Sequence, residues 1–233
     1  MKTYRYDLHV HTKETSGCGR VPARRVVDLY REIGYDGIVI TDHYLQDFFS
    51  GLGRRPWSEK VQRFLAGYRA AAERGREVGL RVFFGLELRF ADDPLDYLVY
   101  GVDEDFLLAH PELLAADLAK LRALAKARGF LVYQAHPFRP GSSPAAPELL
   151  DGVEVYNGNP RHDSRNHLAL EFARLHGLGM ISGSDFHQPD DLGRGGIEVE
   201  EEILRSEELV EVLRRQNFHA LLGLETVITT EKT

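Results

Sequence analysis

The sequence is short of sulfur and of long apolar runs. A single cysteine, Cys18, among 233 residues rules out an intramolecular disulfide framework. Only two methionines accompany it, and with Arg and Glu plentiful the balance fits a heat-tolerant protein. No apolar run approaches bilayer-spanning length, and the opening Met1–Asp7 has no signal-peptide apolar core. The expectation is a soluble, cytoplasmic protein without a membrane partner. An excess of positive charge is missing too. Lys and Arg number 29 against 36 Asp and Glu, a net charge of -7, which makes nucleic acid an unlikely main partner. Carboxylates clustered around bound metal would make the working site less acidic than that figure suggests. No Gly-x-Gly-x-x-Gly turn follows the first strand, and no Walker loop, Gly-x-Ser-x-Gly elbow or Cys-x5-Arg signature occurs.

What is present is an alternation of short apolar runs with longer helical patterns, in a chain that is 43% apolar and able to bury a large core. Strands are predicted at 7–12, 37–43, 80–87, 97–101, 130–135, 153–157 and 179–182. Helical stripes are predicted after Pro22, from an N-cap at Ser58, between Pro111 and Gly129, over 168–176 and over 204–216, with a polar tail beyond. Alternating β and α segments make parallel sheets. The fold class expected is α/β, as one barrel domain over residues 1–233.

In such a barrel the C-terminal strand ends converge on one face. His9 and His11, two residues apart on one strand, project together. His43, Glu87, His136, Asp185 and His187 stand at or just past four further strand ends. Imidazoles and carboxylates gathered this way form a metal site suited to zinc, manganese or iron. Paired divalent ions about 3.5 to 4 Å apart can clamp both the attacking and leaving oxygens of a phosphoryl displacement. Arg139, Arg161 and Arg20, just past strand ends, are candidate phosphate partners. His162 and His167 are candidates to contact substrate or protonate a leaving group. Phe48, Phe49 and Trp57 suit a pocket wall or the core equally well.

The motifs Asp7-Leu8-His9-Val10-His11-Thr12, Ile40-Thr41-Asp42-His43, Glu87, Ala135-His136-Pro137 and Gly183-Ser184-Asp185-Phe186-His187 resemble those of the polymerase and histidinol phosphatase (PHP) family of metal-dependent phosphoesterases. The resemblance spans nearly the whole chain. It implies a distorted seven-stranded, TIM-like (β/α) barrel holding two or three divalent ions. By that likeness His9, His11, Glu87 and Asp185 hold one metal. Glu87 bridges to a second that also uses His136, and His43 and His187 belong to a third or shared position. Asp42 and His187 take catalytic roles, Asp42 by accepting an imidazole N–H; Arg139, Arg161 and His162 are expected to bind substrate from their own placement and chemistry. The chain departs from the fullest pattern at Gly17-Cys18-Gly19, where a trinuclear member carries a His or Asp. It departs again near strand four, where Asp96 or Asp103 stands for a histidine. The activity implied is hydrolysis of a small phosphate monoester, histidinol phosphate or a nucleotide, by metal-bound hydroxide. A phosphodiesterase or nuclease, and a non-catalytic metal-stabilised docking module, are the alternatives.

Overall fold

The computed structural model describes residues 2–223 and the backbone of 227–229. Its elements run β1 (Tyr4–Val10), α1 (Ala23–Glu32), β2 (Gly37–Ile40), β3 (His43–Tyr44), α2 (Gln46–Gly51), α3 (Trp57–Phe64), α4 (Ala66–Val78), β4 (Arg81–Leu88) and β5 (Tyr97–Tyr100). They continue with α5 (Glu104–Ala109), α6 (Leu118–Arg128), β6 (Leu131–Gln134), β7 (Gly152–Asn157), α7 (Asn166–His176), β8 (Gly179–Gly183), β9 (Gly195–Val199), α8 (Ser206–Arg215), β10 (His219–Leu222) and β11 (Val227–Thr229).

Strands β1, β2, β4, β5, β6, β7 and β8 lie side by side in that order. The last comes back to the first. His11 N–H donates to the Phe186 carbonyl at 2.9 Å and Phe186 N–H to that of His9 at 3.1 Å, so β1 meets the end of β8 in parallel. The result is a nearly closed, seven-stranded TIM-like barrel. Gly183 permits the closure, because a Cβ there would sit 2.5 Å from that of His9.

One strand departs from the expected seven repeats. β5 is antiparallel to both β4 and β6. The connection from Arg89 to Asp96 is shorter than the roughly twelve residues a parallel crossover needs, so the chain turns straight back. That reversal puts Asp96, before β5, on the same barrel face as Glu87. Asp103, after β5, lies at the opposite end, where its carboxylate accepts the Phe106 N–H at 2.7 Å and caps α5.

Other boundaries shift for local reasons. The expected N-cap at Ser58 gives way to Pro56, with Trp57 opening α3 and α4 following directly after it. The expected 111–129 helix is confined to α6, capped by Asp117 after a short 3-10 turn. The expected polar tail instead begins with β10, which pairs β9, itself laid antiparallel on β1 outside the barrel. The parts of that tail at 224–226 and 230–233 lie outside the described residues.

The barrel floor is filled by Tyr6, Leu8, Leu98, Tyr100 and Tyr133, all buried. The Tyr100 hydroxyl crosses the interior to the Leu8 carbonyl at 3.0 Å. Val26, Val27 and Tyr30 form the predicted stripe of α1 and pack on Ile38 and Ile40 outside the sheet. Phe49, Phe64 and Trp57 join a third aromatic core, and the Trp57 indole N–H donates to the Leu107 carbonyl at 2.9 Å. They are core residues, away from the cleft described below.

Candidate metal centre

The centre begins with an irregularity in β1. Asp7 points outward, accepting the hydroxyl of Tyr30 on α1 at 2.7 Å. Strict alternation would send His9 the same way. The register against β2 shifts between Asp7 and Val10, and the Asp7 carboxylate takes the His9 N–H at 3.1 Å. This bulge-like step turns His9 inward. Its ring then lies 5.0 Å from that of His11, so the two histidines share a face as predicted.

Glu87, fully buried at the end of β4, is the hub. Its carboxylate lies 2.8 Å from His43 Nδ1, 3.1 Å from His136 Nε2, 3.3 Å from His11 Nε2 and 3.4 Å from His9 Nε2. Asp185 Oδ1 is 3.5 Å from Nε2 of both His9 and His11. Three sets of side chains close to ligating proximity: His9, His11 and Asp185; His43, Glu87 and Asp96; and His11, His43 and His187. All seven residues predicted as metal ligands thus come together, and Asp96 joins them.

These residues fit divalent ions. His9 Nε2, His11 Nε2, Glu87 Oε2 and Asp185 Oδ2 are buried without a hydrogen-bond partner. Leaving such atoms unpaired away from water is costly, and a cation lying between them satisfies several at once. Two of the backbones are also held in uncommon conformations: His136 has φ of 29° and Asp185 φ of 51°. Positive φ at non-glycine residues gathers at functional sites.

A second layer fixes the ligands. Glu154, in the middle of β7, accepts from His9 Nδ1 at 2.9 Å, from the His136 N–H at 3.0 Å and from Asn157 Nδ2 at 2.9 Å. It therefore orients His9 so that Nε2 faces Glu87. Asp42 acts differently from the expectation. It accepts no imidazole N–H among the described residues but takes the Thr12 N–H at 2.7 Å, the Thr12 hydroxyl at 2.6 Å and the Ser16 hydroxyl at 2.7 Å. Ser16 Oγ in turn meets His11 Nδ1 at 3.2 Å and the His43 N–H at 3.0 Å. Asp42 thus reaches both histidines through a serine. Gly67 at the head of α4 makes room for this network, since a Cβ there would meet Thr12 Oγ1 at 2.0 Å.

Charge in the centre is strongly polarised. Burial pushes the Glu87 carboxyl up, but His43 and His9 outweigh it and hold it well below the ordinary carboxylate range. Burial likewise raises Asp185, and His9 foremost brings it well below. Burial alone would lower His9, yet Glu154, Glu87 and Asp185 raise it well above its usual value. His43 and His136 rise for the same reason, against Glu87. His187 goes the other way, pushed down to about 3 by burial and by His11 beside it. It is neutral at physiological pH, the form that binds metal rather than the form that donates a proton.

Above the centre opens a cleft of about 370 Å³ lined by Arg139, Arg161 and His162 as predicted, together with Arg20, Arg89 and Cys18. Arg139 Nη1 is 3.7 Å from Asp185 Oδ2. Arg161 is committed elsewhere, forked onto the buried Asp191, which also accepts the His187 N–H at 2.8 Å. Arg89 is forked onto Asp96 at 2.7 and 2.6 Å. His162 is lowered by burial and by Arg139, so it offers a neutral N–H and is poorly placed to protonate a leaving group. His167, exposed on α7, does not line the cleft. Glu154, Ser16, Arg89 and Asp191 were not distinguished by sequence reading. Only Glu154 carried a local signal, a lone carboxylate inside the buried apolar run of β7.

Residues 163–218 match the PHP-associated (PHP_C) family model. Among curated proteins none matches the chain. Among solved structures, the chain is similar to a Bacteroides vulgatus two-domain protein described as containing a predicted PHP-like metal-dependent phosphoesterase, with TM-score 0.67 and 21% identity. That likeness covers 95% of this chain and 65% of the other, so the chain spans about two thirds of that protein's length. An amidohydrolase from Chromobacterium violaceum, holding sulfate and no metal, shares the fold with TM-score 0.56 and 16% identity over 89% of this chain and 96% of that one. The lesion-specific endonuclease PfuEndoQ from Pyrococcus furiosus shares it with TM-score 0.61 and 14% identity over 91% of this chain and 56% of that one. The fold defines a TIM-like barrel with its candidate metal centre at the C-terminal strand ends. The family-model match is confined to residues 163–218, and the likeness to these solved structures, at 21% identity or below, is one of fold.

Proposed function

We propose that this chain is a metal-dependent phosphoesterase that hydrolyses a small-molecule phosphate monoester. The observation that carries the reading is Glu87, buried and ringed by four imidazoles, beneath a cleft whose rim is arginine-rich. His9, His11, Glu87 and Asp185 would hold one ion, Glu87 with His136 and Asp96 a second, and His43 with His187 a third or shared one. Bound divalent ions supply Lewis acidity, which acidifies water and offsets charge on phosphoryl oxygens.

The chain's own residues do the rest. Arg139 offers a guanidinium fork to a phosphate entering above Asp185. His162 donates a neutral N–H to an anionic oxygen. Arg161 contributes by holding Asp191, and through it the His187 backbone. Asp42 keeps His11 and His43 in place by fixing Ser16. The barrel wall behind Glu87 keeps bulk water from the ligands, so the electrostatic pull on the phosphoryl group is undiluted.

The test is phosphate release from a panel of monoesters, including histidinol phosphate and nucleotides, by metal-stripped protein refilled with manganese or zinc. Release that depends on metal and disappears in His9→Ala is the expected result. The barrel shared with an endonuclease motivates a diester arm with bis(p-nitrophenyl) phosphate. Cleavage of the diester with no release from any monoester would replace the monoesterase reading with the phosphodiesterase one.

A further inference from the structure

The cleft above the metal centre holds more positive charge than one phosphate needs. Four guanidiniums line it, from Arg20, Arg89, Arg139 and Arg161. Two are already neutralised inside the protein, Arg89 by Asp96 and Arg161 by Asp191, each through a two-pronged pair. The other two make no such forked pair. Arg139 has only a long ion pair, Nη1 standing 3.7 Å from Asp185 Oδ2 and beyond hydrogen-bond distance, while Oδ1 of that carboxylate faces His9 and His11. Arg20 is exposed, and its guanidinium has no hydrogen-bond or ion-pair partner among the described residues. Its backbone is anchored, the N–H donating to the His187 carbonyl at 2.8 Å, so its side chain starts from a fixed point beside the centre.

The cleft lining is also predominantly polar. Among the described residues its lining contains no aliphatic side chain and no aromatic ring other than imidazole. Small-molecule sites are ordinarily lined mostly by apolar and aromatic groups. A nucleobase would have only imidazole rings and guanidinium planes to stack on, with no larger apolar wall behind them.

On the phosphoesterase reading above, we infer that the substrate is a small, polar phosphate monoester with a second anionic group, phosphate or carboxylate, and that Arg20 with Arg139 reads that second group. The metal centre takes the ester phosphate, Arg139 beside Asp185 reaches between the two anionic groups, and Arg20 takes the other end. A bidentate Arg contact selects such a group by geometry as well as charge. Arg20 is the specificity-determining residue of the pair, because Arg139 also borders the ester phosphate.

The experiment compares propylphosphonate, 3-phosphonopropionate and propane-1,3-diyl bisphosphonate as ligands of the manganese-loaded protein, by calorimetry. The expected result is that one or both two-ended ligands bind at least about tenfold more tightly than propylphosphonate, the weight of one charge-assisted hydrogen bond. Which of them does so tells phosphate from carboxylate. In Arg20→Ala the gap closes, and in Arg20→Lys part of it returns. Chelation of the metal by a two-ended ligand is the same in all three proteins, so only the difference between them counts. No gap in the parent protein, or a gap that survives in Arg20→Ala, overturns the inference. Hydrolysis of propyl phosphate is followed separately. Turnover without a binding gap leaves the phosphoesterase reading standing and removes this one; a gap with no turnover of propyl phosphate or of propane-1,3-diol bisphosphate removes the phosphoesterase reading and the substrate assignment with it, leaving only an Arg20-dependent anion subsite.

Discussion

His9 Nδ1 and Glu154 Oε1 lie 2.9 Å apart, both fully buried, on strands that start 148 residues apart in the chain. The contact fixes which ring nitrogen of His9 faces the centre, and Glu154 spends its other oxygen on the His136 backbone and Asn157. One carboxylate therefore positions candidate ligands from two strands. Loss of such an outer partner typically costs about 10- to 100-fold in metal affinity. Glu154→Gln is expected to weaken manganese or zinc binding by that amount, read by competition with a chromophoric chelator, while the far-ultraviolet circular dichroism stays unchanged. Unaltered affinity would remove Glu154 from this role.

Filling the centre is expected to stabilise the fold. A ligand at a hundred times its dissociation constant adds about 2.7 kcal/mol, and at this chain length each kcal/mol moves the midpoint by about 2 to 4 °C. Metal-stripped protein is expected to melt about 5 to 10 °C below the refilled form on those figures. Equal midpoints would mean that the buried His and carboxylate atoms are satisfied without metal.

Metal affinity is expected to rise with pH through the neutral range. His9, His43 and His136 have raised pKa values without metal, so they hold protons that ligation must expel. In the metal-free protein these raised histidines contribute stability that is fully present below the ordinary histidine value. It is lost as pH climbs through the raised one. Glu87 and Asp185, depressed, contribute stability that is present above the ordinary carboxylate value and is lost as pH falls through the lowered one. Calorimetry of metal binding in two buffers of different ionisation enthalpy measures the protons released. Heats that do not depend on buffer would contradict the assignment.

The two arginines predicted to bind substrate are expected to separate. Arg161, its side chain 35% exposed, neutralises the fully buried Asp191, so Arg161→Ala leaves that carboxylate with its backbone N–H donors but no counter-charge. The cost expected is about 1 to 3 kcal/mol, discounted because the arginine is partly solvated. Arg139→Ala breaks no close pair, and is expected to leave the denaturation midpoint in place and raise KM. Urea unfolding with steady-state kinetics on both variants tells the two roles apart.

Gly67→Ala is expected to destabilise the protein by about 1 to 3 kcal/mol through overpacking against Thr12 and Asp42. Because that network holds Ser16 against His11, metal affinity should fall with it. A variant as stable as the parent in urea, with full metal affinity, would show that α4 can move aside at no cost.

The clustering of the candidate metal ligands was legible in the sequence because a barrel ties position along a strand to position in space. His9, His11, His43, Glu87, His136, Asp185 and His187 all stand at strand ends, and parallel strands bring those ends to one face. The choice between Asp96 and Asp103 was not legible, since it turns on the direction of β5. Nor was the second layer, because Ser16, Glu154 and Asp191 matter only through partners far away in the chain. Arg161 and Arg139 look alike in sequence and differ only in which carboxylate lies beside them.

By itself, then, the order of apolar runs and strand-end His, Asp and Glu residues determined the barrel and the gathering of the candidate ligands, since both follow from local periodicity and from the geometry common to parallel strands. The tertiary structure decided the inward turn of His9 at the β1 irregularity, the reversal of β5 that delivers Asp96, and the Asp42–Ser16 relay. It also decided which guanidiniums are forked onto a carboxylate. Each of these depends on close packing between segments remote in sequence, and no local pattern encodes that packing.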